Sequence, residues 1–164
     1  MKAIASWTFI LVVLIAAACE TAAEVRSASE YPQTYEYSYP HNTPSLNENH
    51  YIVLDSLENG VHGWYYGTSD DFDSAREGYL PGFFVAEMED LRITDDSISF
   101  MLRPQAMFAA PVPLQYRSAM DIPAETLEKW TGPSLAAVRT YAGTRTVDRL
   151  VLEGRVFVRL GDRR

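Results

Sequence analysis

Asp70, Asp71 and Asp73 place three carboxylates within four residues, and Glu77 follows in the same stretch, Tyr66–Tyr79. Hard cations such as calcium seek several oxygen ligands, so this loop invites a metal hypothesis. Its spacing fails the EF-hand pattern. Asp71 and Asp73 fit the first two ligand positions, but Ala75 stands at the third and Arg76 where a glycine is required. A structural loop fits better: Asp70 and Asp73 pair with Arg76, while Ser69 or Asp70 caps a short helix. Neither a metal nor another cofactor is expected.

The same acids, Asp70, Asp71, Asp73 and Glu77, are candidates for carboxylate-dependent glycoside hydrolysis, with Trp64, Tyr65, Tyr66 and Tyr79 as stacking surfaces. That chemistry needs two acids about 5–10 Å apart across a sugar, and nothing in the pattern demands a raised pKa. Nucleophilic catalysis has less support. There is no Gly-x-Ser-x-Gly elbow, His41 falls in a linker-like stretch, and His50 and His62 are not spaced as metal ligands. No residue is therefore assigned a catalytic role. The preferred reading is non-enzymatic binding of a small apolar or saccharide ligand, with Trp64, Tyr66, Tyr79 and Phe84 as lining candidates. Large aromatics in a domain of this size are more often core than ligand contacts.

The elements that would position these residues read as strands. Leu91 and Ile93, then Asp95-Asp96, then Ile98, Phe100 and Leu102 predict a hairpin with an acidic turn. Leu150 and Leu152 lead to Gly154 and a second hairpin, in which Val156, Val158 and Leu160 are expected inward and Arg155 and Arg159 outward. Val61–Thr68 and Gly82–Met88 are further strands. Pro123 followed by 124–130 predicts one short helix, and Ser134–Tyr141 fits either a helix or a strand. The expected fold is mainly β, a small antiparallel barrel or sandwich with one short helix. The segment Gly63-Trp64-Tyr65-Tyr66-Gly67 is similar to the Gly-x-Trp opening strand of lipocalin-like barrels, which implies a barrel shape.

Composition narrows the classes of function. The 164 residues carry a formal charge of -8, which argues against nucleic-acid binding, since phosphates need a basic footprint. The charge is uneven: residues 20–102 hold 16 acidic and 3 basic side chains, residues 103–164 hold 6 and 10. Outward Arg155 and Arg159 beside Arg145, Arg149, Arg163 and Arg164 would form a basic patch, either paired with the acidic half or open to an anionic partner.

Cys19 is the single cysteine, which excludes an intramolecular disulfide. It follows a positive start at Lys2 and an apolar run, Trp7–Ala18, interrupted by Thr8. Leu14-Ile15-Ala16-Ala17-Ala18-Cys19 resembles the lipobox of bacterial lipoproteins, with Ala16 where leucine is usual. The resemblance implies removal of residues 1–18, lipidation (palmitate among the acyl chains) of Cys19, and attachment to a membrane of the cell envelope, the outer membrane favoured. Cleavage after Ala18 or Ala23 as an ordinary export signal would instead give a secreted protein. An uncleaved span is the third alternative. Residues 19–50, with Pro32, Pro40, Pro44 and Tyr31, Tyr35, Tyr37 and Tyr39, read as the lipidated N-terminus and tether; alternation over 35–39 also fits an edge strand. Residues 51–164 are the expected β-rich domain. Its expected partners are the membrane through lipid and a small-molecule or protein ligand. A structural or protein-interaction lipoprotein, acting through its surface or the Tyr-rich tether, is the alternative function.

Overall fold

Two kinds of apolar pattern separate two halves of one sheet. The computed structural model describes residues 31–43, 47–69, 82–130 and 137–161. Among them, β1 (Gln33–Tyr37), β2 (His50–Leu57), β3 (Gly60–Thr68), β4 (Phe83–Glu87), β5 (Glu89–Ile93), β6 (Ser97–Leu102), β7 (Met107–Phe108), β8 (Lys129–Trp130), β9 (Arg139–Arg145), β10 (Arg149–Leu152) and β11 (Arg155–Arg159) form one antiparallel sheet. Its order is β5-β6-β9-β10-β11-β1-β2-β3-β4-β7-β8. The near-continuous apolar runs Trp64-Tyr65-Tyr66 and Phe83-Phe84-Val85-Ala86 are buried on both faces. The alternating strands β6 and β10 bury one face.

The sheet curls through one bent segment. β4 pairs with β3, and after Met88 the chain continues as β5, which pairs with β6 at the far end of the order. Asp90 has a left-handed φ of 51° and the β5–β6 register shifts between Glu89 and Arg92, an irregularity of the kind that bends a strand. Met88 N–H donates to Gly63 O over 2.8 Å at the bend. The ladder itself is not closed into a barrel, because β5 and β8 remain its end strands.

Inside the curl, Tyr35, Tyr65, Phe84, Phe100, Tyr141 and Phe157 are each at most 1% exposed. Their rings fill the interior: Tyr65 lies 5.4 Å from Tyr141 and 5.9 Å from Phe84, and Phe100 lies 5.2 Å from Tyr141. These centroid distances are in the range of favourable aromatic pairs. On the outer face of β2–β4, Val53, Trp64, Tyr66, Phe83 and Val85 form a second core beneath the segment carrying Ala106, Val112, Ala119 and Ile122. Gly143 is fixed by close approach, since a Cβ there would run into the backbone carbonyl of Val151.

Four expectations change. The tether reading of residues 19–50 fails from Tyr31 onward: β1 sits between β2 and β11 inside the sheet, neither a spacer nor an edge, with Tyr35 fully buried. The helix expected after Pro123 is replaced by a turn, Thr126 N–H to Pro123 O at 2.9 Å, and by β8, which pairs with β7. So short a helix is marginal alone, and the ladder with β7 supplies the hydrogen bonds instead. Of the alternatives for 134–141, the described C-terminal part is strand β9.

The faces of β11 are the reverse of the expectation. Glu153 and Gly154 form a two-residue turn with left-handed φ values of 48° and 79°, so Leu152 opposes Arg155 and Leu150 opposes Phe157. Opposed residues share a face, so Phe157 enters the core. Val156 and Val158, at 43% and 48% exposure, point outward with Val151. The expected outward basic patch is therefore not assembled. Arg145 is buried and donates to Thr94 O over 3.2 Å, Arg155 and Arg159 share the Phe157 side, and Arg163 and Arg164 lie outside the described residues.

Candidate ligand-binding cleft

Because Tyr35 points inward, its neighbours Thr34 and Glu36 on β1 point to the outer face. There they face Val53 and Tyr51, their register partners on β2. The chain from Pro111 to Leu114 returns over this face, and Pro32, Leu160 and Gly161 complete the lining of an open cleft of about 600 Å³. Three proline rings, Val112, Leu114 and Leu160 supply its apolar surface, while polar surface of nearly equal extent includes the side chains of Thr34, Glu36 and Tyr51. Glu36 is held in place: Asn49 Nδ2 and Tyr51 Oη donate to the same oxygen, Oε1, over 2.7 and 2.8 Å. Among the described residues, neither a hydrogen bond nor a cation reaches Oε2.

The Pro111–Leu114 wall is held from behind. Tyr66 Oη shares its proton between Tyr116 O (2.8 Å) and Leu114 O (3.2 Å), and accepts from Arg117 Nη1 over 2.9 Å. Arg117 also donates to Leu114 O, and its guanidinium lies 4.9 Å above the Trp64 ring. Burial pushes the Tyr66 phenol above its ordinary value, an effect that the nearby Arg117 opposes.

The four aromatic candidates do not converge. Trp64 and Tyr66 are buried in the outer core, Phe84 faces the interior on the opposite side of the sheet, and Tyr79 lies outside the described residues. Tyr66 thus bears on the cleft as support for its wall. Cys19 and the acidic loop Asp70, Asp71, Asp73 and Glu77 also lie outside the described residues. The two described ends of that loop are joined, Ser69 N–H to Gly82 O at 2.7 Å.

The histidines are engaged separately. His50 is fully buried, with Nδ1 2.7 Å from Tyr65 Oη and Nε2 3.2 Å from Thr68 Oγ1. His62 lies 2.9 Å from both Glu87 and Asn59. Among the described residues, no three His, Cys, Asp or Glu side chains gather as metal ligands.

Glu36 falls inside the stretch that reads as tether and Tyr51 at the first residue beyond it, so neither stands out as a site residue from sequence. The available signal was Glu36 itself, an acid on the opposite parity to Tyr35, Tyr37 and Tyr39, together with the paired prolines of Pro111-Val112-Pro113. No family model, curated protein or solved structure matches this chain.

Proposed function

We propose that the chain is an exported envelope lipoprotein, anchored through Cys19, whose β domain binds a small saccharide without turning it over. The observation that carries the binding reading is the cleft over β1 and β2, with apolar proline walls and a carboxylate held by two donors. Sugar rings offer C–H faces to apolar walls and hydroxyl donors to a carboxylate, which is the mixture found here. Between the two ligand classes, an apolar one would cover Glu36 Oε2 without offering it a donor, at a cost that the saccharide avoids.

Two features favour binding over hydrolysis. Among the described residues the cleft lining contains one carboxylate, Glu36, whereas glycoside cleavage by the usual route employs two. The curled interior is occupied by aromatic rings, so the ligand is assigned to the outer face. Anchoring rests on the sequence of residues 14–19, and the described sheet begins at Gln33.

Titration calorimetry with a panel of neutral and charged oligosaccharides tests the binding reading, with Thr34→Trp as the blocked form. A ligand that binds the wild type and loses at least about tenfold in affinity to Thr34→Trp, with unchanged thermal unfolding, supports it. Equal binding to both forms would place the ligand elsewhere.

A further inference from the structure

We infer that the saccharide taken by this cleft carries a free ammonium group, as an amino sugar does, and that Glu36 Oε2 receives it. The inference rests on the saccharide-binding reading above. Asn49 and Tyr51 both spend their donors on Oε1, which orients the carboxylate and leaves Oε2 open. No described cation forms an ion pair with Glu36, and Arg117, at the far side of the cleft wall, is engaged by Tyr66 Oη and Leu114 O. Arg149, on the same outer face, is two strands away across Val158 and 3.7 Å from Asp148, while Arg155 and Arg159 lie on the opposite side of β11. A carboxylate fixed by neutral donors beside proline and aliphatic side chains is complementary to a cation with an apolar body, and the resulting hydrogen bond is charge-assisted.

The floor distinguishes a sugar from a basic peptide. β1 is paired along both edges, with β2 and with β11, so its backbone has no free edge on which a peptide could add as a strand. What the floor presents is side chains: the hydroxyl of Thr34 and the carboxylate of Glu36, beside the ring of Tyr51. Those groups suit a ligand rich in hydroxyls with one positive centre.

The test compares a chitosan trisaccharide, its fully N-acetylated counterpart and tri-lysine on the full chain and on Glu36→Gln. The two sugars share a ring skeleton and differ in charge. The expected result is that the deacetylated sugar binds the wild type about tenfold more tightly than the acetylated one, and that Glu36→Gln removes the preference. Added salt should weaken the deacetylated sugar alone, a readout in the wild type that stands even if the variant folds poorly. Equal binding of the two sugars would overturn the inference and leave saccharide binding standing. Binding of neither sugar would overturn both. Tri-lysine binding as tightly as the amino sugar would replace the saccharide with a basic peptide.

Discussion

Tyr51 Oη donates to Glu36 Oε1 over 2.8 Å, between residues directly opposed on β2 and β1. The pair exists because the alternation that buries Tyr35 and Ile52 turns Glu36 and Tyr51 out together. Tyr51→Phe keeps the ring and removes the donor, leaving Asn49 to hold the carboxylate. Calorimetry should show saccharide affinity weakened about three- to tenfold, with stability changed by less than about 1 kcal/mol.

Tyr66→Phe acts on the cleft from behind. It leaves the carbonyls of Leu114 and Tyr116 and one Arg117 donor with fewer partners, so chemical denaturation should show a loss of about 1–2 kcal/mol. Ligand affinity should fall as well, because the proline wall loses its tie to β3.

The same phenol predicts part of the alkaline behaviour. Its folded pKa is raised above the ordinary value of 10.0 by burial, so its contribution to stability is complete below that value. The contribution is lost as pH rises through the raised folded pKa, because the unfolded phenol ionises first. Stability measured against pH above 10 should therefore fall less steeply in Tyr66→Phe than in the wild type.

Gly143→Ala tests the packing of β9 against β10. The added methyl meets the Val151 backbone carbonyl, which cannot swing aside as a side chain can. A destabilisation of about 2–3 kcal/mol is expected by thermal or chemical unfolding, against a few tenths for an ordinary exposed strand site.

Cys19→Ala tests the anchor. Fractionation should move the protein from the membrane to the soluble fraction, and the mature mass should lose that of the attached lipid. An unchanged mass and distribution would remove the lipoprotein part of the proposal and leave the cleft untouched.

Much of the architecture is legible in the sequence where side-chain parity and turn chemistry agree. The hairpin around Asp95-Asp96 follows from Ile93 and Ile98 flanking it, and the two-sided burial of β3 and β4 follows from their unbroken apolar runs. Face assignment in β11 is harder, because Val156 and Val158 outweigh Phe157 in a count of apolar residues. The Glu153-Gly154 turn decides the matter by setting Phe157 opposite Leu150. β1 is obscured by Pro32, Pro40 and Pro44 and by its polar outward residues, while its inward Tyr35 and Tyr37 merge into a run of tyrosines that reads as tether. The cleft is less legible still, since it joins residues from 32 to 161 that only the curled sheet brings together.

Backbone amide resonances of the full chain, followed during titration with the chitosan trisaccharide, locate the ligand directly. Saturable shifts are expected at Thr34, Glu36, Tyr51, Val112 and Leu114, with Phe100 and Tyr141 in the interior unmoved. Shifts centred on the interior aromatics, or no saturable shift at the cleft, would contradict saccharide binding in the cleft.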